Sequence, residues 1–397
     1  GIKYGLLMTI LISAFFGNLT LLFLDSLTIL FRTLSASIWP AIYQIITAAE
    51  TALYQVHFLS EPISIFDTWI RPSLLPSEPV FYRAAWIYAG FFLGIIGLNL
   101  IAQRFWCRYI CPLGGLLGLI SKIALFRREP GEACRECSIC QKNCPTGTID
   151  QNRGYRSDPA ECTMCLECLE TCPGSTIVFT PHFKPETWHP YDPKKREALA
   201  SLGLSILAIG VIRSDLIAKR DTPFLLRPPG ARENNLLSKC IRCSECIRAC
   251  PTSALQPAVS ESGLEGLWTP VMIPRSGYCD YSCNTCGQVC PVEAIPSLSL
   301  EEKRQQTIGR AYIDQNRCIA WADHTGCIVC EEMCPLPEKA IQLDITDLTN
   351  PDGSITQLQL PRVLRDRCIG CGICEYKCPV NGTAAIRVYV PQTEVFF

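Results

Sequence analysis

Cys134-Arg-Glu-Cys137-Ser-Ile-Cys140-Gln-Lys-Asn-Cys144-Pro145 is the stretch from which the rest of the chain can be read. It spells C-x2-C-x2-C-x3-C-P, the run that holds a cluster in bacterial ferredoxins. The phrase returns at Cys162, Cys165, Cys168, Cys172-Pro173, at Cys240, Cys243, Cys246, Cys250-Pro251 and at Cys368, Cys371, Cys374, Cys378-Pro379. Two further copies are stretched at the front: Cys279, Cys283, Cys286, Cys290-Pro291 and Cys318, Cys327, Cys330, Cys334-Pro335. These runs use 24 of the 26 cysteines and leave Cys107 and Cys111.

Three chemistries compete for so many cysteines. Disulfide scaffolds belong to short secreted chains, and this one has 397 residues with its cysteines in tight groups. Zinc sites pair two C-x2-C knuckles across a long gap, whereas here a fourth Cys-Pro closes each group. Iron–sulfur ligation fits the spacing, and six runs of four imply six 4Fe–4S clusters. The net charge of −1 gives no basic footprint for nucleic acid. No C-x-x-C-H occurs, and the four histidines lie outside the long apolar runs, so haem is not expected.

Taken in order, residues 4–24 are uncharged over 21 residues and residues 84–103 over 20. Either could cross a hydrocarbon core of about 30 Å at a helical rise of about 1.5 Å per residue. Residues 27–60 carry Arg32, Pro40 and several hydroxyls, and read as interfacial or re-entrant helices. From Arg104 to Arg128 there are five basic residues and no acid, against three basic and five acidic residues between Asp25 and Arg83. The positive-inside rule then puts Arg104–Arg128 in the cytoplasm. Residues 113–126 suit a short helix lying on the membrane or packing on the ferredoxin module. Residues 198–217 contain a short apolar run that reads as a membrane helix. The expected class is α+β: a membrane domain over 1–128, a two-cluster ferredoxin module over 129–180, a linker with a short helix over 181–221, and a four-cluster domain with long loops over 222–397. Residues 256–278, 297–317 and 342–367 read as loops or cover elements.

In two-cluster modules the fourth cysteine of each run ligates the other cluster. One set is then Cys134, Cys137, Cys140 and Cys172, and the other is Cys162, Cys165, Cys168 and Cys144. Cys107 and Cys111, at i and i+4 ahead of Pro112, share one face of a helical turn. They are a candidate redox pair, or structural cysteines at a helix end.

Residues 1–180 resemble the C-terminal half of NapH-type membrane polyferredoxins, through Phe105-Trp-Cys107-x3-Cys111-Pro112-Leu-Gly and the two-cluster module. Residues 222–397 resemble NapG-type ferredoxins, through Leu226-Arg-Pro-Pro-Gly-Ala231, Lys239-Cys240-Ile-Arg-Cys243, Cys318-Ile-Ala-Trp321 and Cys327-Ile-Val-Cys330-Glu-Glu. The chain thus looks like a fusion of the two, with an N-terminal half of the first expected to be missing. For four-cluster ferredoxins the resemblance implies that outer runs pair and inner runs pair. Cys240, Cys243 and Cys246 then go with Cys378, and Cys368, Cys371 and Cys374 with Cys250. Likewise Cys279, Cys283 and Cys286 go with Cys334, and Cys318, Cys327 and Cys330 with Cys290.

No dinucleotide or flavin fingerprint and no acid–base pair stands out. The expectation is an electron-transfer subunit of an oxidoreductase complex, quinol dehydrogenase-like, rather than a catalyst by itself. It would sit in the inner membrane of a prokaryote, with residues 129–180 cytoplasmic and 222–397 outside. It would relay single electrons between quinone or a membrane subunit and a partner such as a cytochrome c or a molybdenum or tungsten enzyme. The alternative is a redox-sensing or maturation polyferredoxin serving another metalloenzyme.

Overall fold

A computed structural model describes residues 2–15, 17–55, 60–71, 82–181, 195–213, 223–259, 261–349 and 355–391. Two compact units divide the chain. The first comprises residues 1–17, 21–30 and 90–210, and the second comprises 18–20, 31–89 and 211–397.

The first apolar stretch does not form the single helix expected over 4–24. Helix Ile2–Phe15 ends ahead of Gly17, whose φ of +74° only glycine adopts without strain, and a 3-10 turn follows at Thr20–Leu24. The stretch read as interfacial or re-entrant holds the longest apolar helix among the described residues. Among the described residues Ser26–Tyr54 is the one helix long and apolar enough to cross a membrane, by length and composition. Its polar residues are absorbed locally. The Ser35 hydroxyl donates to the Phe31 carbonyl at 2.8 Å, and a π-helical turn over Leu34–Ile38 stands just ahead of Pro40, where the ladder lacks one N–H. Helix Ala85–Gly97 continues as a 3-10 turn, Leu98–Leu100. Helix Lys195–Arg213 covers most of the expected 198–217 segment, and residues 214–217 lie outside the described residues.

In the first unit, small residues bring elements together. Helix Pro112–Ser121 packs on Ile2–Phe15, and a Cβ on Gly118 would come within 2.9 Å of the Ala160 carbonyl. The Lys3 ammonium, 4% exposed, pairs with Glu161 at 2.6 Å and ties the helix to the two-run module. A short core of Ile29, Trp106 and Cys111 is closed by Phe91, Ile95 and Leu113. Antiparallel strands Phe126–Pro130 and Ile177–Pro181 bracket the module between them.

The second unit has a parallel construction. Strands Arg310–Ile313 and Ile386–Tyr389 pair antiparallel and bracket the last two cysteine runs. Leu255–Pro257 pairs with Pro270–Met272 just after the third run. Of the two readings of the three inserts, loops or cover elements, the structure favours the second. Residues 256–278 supply that strand pair, 297–317 supply helix Leu300–Gln305 and strand Arg310–Ile313, and 342–367 lie largely in the hairpin Ile341–Thr349/Ile355–Val363. Polar burial explains the first of these. Arg227 makes a bidentate pair with Glu233 at 2.6 and 2.8 Å and also bonds Ser262, Thr269 and the Pro270 carbonyl, which pins residues 262–270 inside.

Candidate metal centres

Each run places its third cysteine on a helical turn of four or five residues: Ile139–Lys142, Glu167–Glu170, Glu245–Arg248, Thr285–Gln288, Val329–Glu332 and Ile373–Lys377. In the four regular runs the two residues flanking the second cysteine are left-handed. They are Glu136 and Ser138, Met164 and Leu166, Arg242 and Ser244, and Gly370 and Gly372. A left-handed conformation costs a non-glycine residue about 1–2 kcal/mol. The return is a concave set of backbone N–H groups, the kind of nest that binds phosphates and iron–sulfur groups. In the stretched runs Asn284 and Ile328, at the equivalent place after the second cysteine, keep negative φ.

The cysteines gather in fours. Cys134, Cys137, Cys140 and Cys172 ring one cavity, and Cys144, Cys162, Cys165 and Cys168 ring the next. In the second unit Cys240, Cys243, Cys246 and Cys290 ring a third, and Cys318, Cys327, Cys330 and Cys378 a fourth. Cys250 lies within electrostatic reach of Cys279 and Cys286, and Cys334 of Cys368 and Cys371. This corrects the nested pairing implied by the four-cluster resemblance. Cys378 sits with Cys318, not with Cys240; Cys250 sits with Cys279, not with Cys368; Cys290 sits with Cys240 and Cys334 with Cys368. Consecutive runs exchange their fourth cysteines. The strand bracket Arg310–Ile313/Ile386–Tyr389 delivers Cys378 to the neighbouring run, and pairing neighbours closes shorter loops than nesting would.

Within the second unit the four groups form a file. Cys246 is in reach of Cys286, Cys279 of Cys371, and Cys374 of Cys330. The middle junction is bonded, since the Cys279 N–H donates to the Cys371 carbonyl at 2.8 Å. Arg275 crosses the same junction to the carbonyls of Glu375, Cys378 and Val380. At the Cys240 end of the file, Trp268 lines the cavity and stacks on Tyr88 at 5.7 Å. There Arg32 donates to the Arg242 carbonyl.

The donors fit clusters better than single ions. None of the 26 cysteines is in a disulfide, and among the described residues no three Cys, His, Asp or Glu converge as one metal ion would require. Burial pushes the Cys286, Cys330 and Cys371 thiols up to about 12 and holds Cys246 and Cys374 well above the usual range. Such sulfurs carry charge only when a metal replaces the proton. Cys172 is drawn down by the Thr176 hydroxyl and by N–H groups of the Cys-Pro turn. At Cys144 burial raises the pKa, but the Thr146 hydroxyl and the N–H groups of Thr148, Thr146 and Gly147 outweigh it. Arg128, 4% exposed, lines both cavities of the first module, and its Nε is buried without a partner. An anionic group on either side would satisfy it.

Cys107 and Cys111 are placed differently. The Cys111 sulfur caps helix Pro112–Ser121 by accepting the Gly114 N–H at 3.3 Å, and it is buried. A Cβ on Gly114 would meet the Cys107 carbonyl at 2.6 Å, which accounts for a glycine in this phrase. Cys107 is exposed.

Residues 84–131 match a 4Fe-4S binding domain family, and residues 237–256 and 361–382 match a second family of the same description. The methylamine utilization ferredoxin-type protein MauM of Methylorubrum extorquens is 33% identical over 210 residues, half of this chain and 90% of that protein. The ferredoxin-type protein NapG of Escherichia coli is 36% identical over 162 residues, 40% of this chain and 68% of that protein. The putative electron transport protein YccM of Escherichia coli is 34% identical over 116 residues, 29% of this chain and 30% of that protein.

Proposed function

Since the chain belongs to the ferredoxin-type proteins related to NapG and MauM, we propose that it is a membrane-bound relay of six 4Fe–4S clusters. It passes single electrons between the quinone pool, or a membrane partner, and an oxidoreductase outside the cytoplasmic membrane. The observation that carries this is the gathering of cysteines in fours, each four completed from a neighbouring run, with consecutive fours inside each unit in reach of one another.

Bound clusters supply one-electron chemistry, with potentials set by burial, charge and hydrogen bonds to sulfur. The chain's own residues hold and insulate them. Cys134, Cys137, Cys140 and Cys172 would hold one, and Cys162, Cys165, Cys168 and Cys144 the second. In the second unit the four sets are Cys240, Cys243, Cys246 and Cys290; Cys279, Cys283, Cys286 and Cys250; Cys368, Cys371, Cys374 and Cys334; and Cys318, Cys327, Cys330 and Cys378. The left-handed turns aim N–H groups inward, and the Thr252 and Thr285 hydroxyls lie at 3.6 and 3.4 Å from Cys250 and Cys283.

Membrane attachment is supported by apolar side chains left in the open along the helices, among them Ile45, Trp86, Leu93, Leu204 and Leu207. The basic Arg104–Arg128 stretch belongs to the unit with the two-run module, and residues 31–89 belong to the unit with the four-run part. By the loop charges, residues 129–181 then face the cytoplasm and 223–391 face outward. The test uses sealed vesicles of known orientation. A quinol should reduce the clusters, and protease added outside right-side-out vesicles should cut the Ile341–Val363 hairpin while sparing residues 129–181. Cleavage of the hairpin only from the inside, or no quinol reduction of fully loaded protein, would overturn this reading. In the second case the maturation role, which the exposed Cys107 thiol beside Cys111 favours, becomes the better one.

A further inference from the structure

The six groups do not meet the same charges. Arg128 lines two cavities, and its guanidinium is directed at the sulfurs of both Cys140 and Cys168. Lys303, 3% exposed, directs its ammonium at the Cys279 sulfur and also bonds the Asp280 carbonyl. Arg242, 1% exposed, lines the Cys240 cavity and donates to the Cys240 carbonyl at 3.0 Å. At the Cys368 group, Arg310 reaches the Cys368 carbonyl at 2.9 Å. The Cys318 group is unlike the others. Its cavity is walled by Ile313, Ile319, Val329, Val380, Ala385 and Ile386 besides prolines and the four cysteines. Arg275 touches this group only at the Cys378 carbonyl and does not line the cavity.

Reduction adds a negative charge to a position whose thiolates are already anionic. A buried cation beside the sulfurs favours the reduced state, and an apolar wall disfavours it. Resting on the cluster assignment above, we propose that Arg128 and Lys303 are potential-setting residues, raising the midpoints of the two first-unit positions and of the Cys279 position. The Cys318 position, walled by apolar side chains at the end of the file, has the lowest midpoint of the four in its unit. Each exchange between neighbours moves one electron, oxidising one position and reducing the next, with no proton transferred and no bond broken.

The experiment is an EPR-monitored redox titration of the full-length protein, with iron and sulfide measured on every sample. Lys303→Met should lower one midpoint, with at least a tenfold fall in its one-electron reduction constant, about 59 mV. Arg128→Met should lower two others, and Lys303→Arg and Arg128→Lys should restore them. Cys327→Ser should shift or abolish the lowest second-unit midpoint, which neither cation variant moves. Unchanged midpoints in both Met variants at full iron content would overturn the proposal, as would a Cys327→Ser effect on any other midpoint. If one Met variant fails to load iron, the other decides. Iron short of four per group in the wild type would overturn the cluster assignment itself.

Discussion

Arg227 gathers five hydrogen bonds at 7% exposure, and this explains why the Leu226-Arg-Pro-Pro-Gly phrase stands ahead of the third run. Glu233 is 29% exposed and can take up water, so the loss of Arg227 falls on the Pro270 carbonyl and the Ser262 and Thr269 hydroxyls, at a cost of about 1–3 kcal/mol for a buried group left unsatisfied. Arg227→Ala should therefore lower the unfolding free energy of loaded protein by about that much, while Arg232→Ala, at an exposed neighbour, should change little in the same denaturant titration. Glu375 is a second residue-scale case. Burial raises its pKa, and the Val388 N–H, bonded at 2.7 Å, offsets only part of that. A raised carboxyl favours the fold below the unfolded pKa of about 4.3, and that contribution is lost as pH rises through the folded value. Glu375→Gln keeps an acceptor for Val388 without the charge. It should stabilise the protein at pH 7, and the gain should shrink towards pH 4; equal gains at both pH values would rule out this origin.

At the scale of elements, the cysteine runs were legible because ligand type and spacing are local properties of the chain. The pairing of the four second-unit runs was not, because it depends on strands Arg310–Ile313 and Ile386–Tyr389 meeting across more than 70 residues. The cations beside the sulfurs were also hidden. Lys303 looks like an ordinary charge in the exposed helix Leu300–Gln305, and Arg128 reads only as one of the loop charges that orient the chain. The continuity of the Ser26–Tyr54 helix was hidden because hydroxyls and Pro40 look disruptive in one dimension, yet each is accommodated within the helix. One close approach can be tested at this scale. Gly370, at φ +73°, lies against Gly309, and an added Cβ would fall 2.4 Å from the Gly309 nitrogen. Gly370→Ala should perturb the Cys368 and Cys318 positions, which share the exchanged cysteines Cys334 and Cys378. The EPR signals of the first unit should be unchanged.

At the scale of the molecule, the chain repeats one device three times. Two consecutive runs swap their fourth cysteines, and in the first and last pairs a strand bracket closes the swap. The two-run module of the first unit has few buried apolar residues, chiefly Ile149, Tyr155, Ala160 and Ile177, so much of its folding free energy must come from metal. Stripping iron with a chelator under reducing conditions should unfold this module first, seen as loss of protection against proteolysis across residues 129–181. The most direct test of the central claim is the iron and acid-labile sulfide content of the purified full-length chain, alongside the integrated EPR intensity of the reduced protein. Six four-cysteine groups should give about 24 iron and about 24 sulfide per chain. Zinc in place of iron, or iron sufficient for only the two-run module, would contradict it.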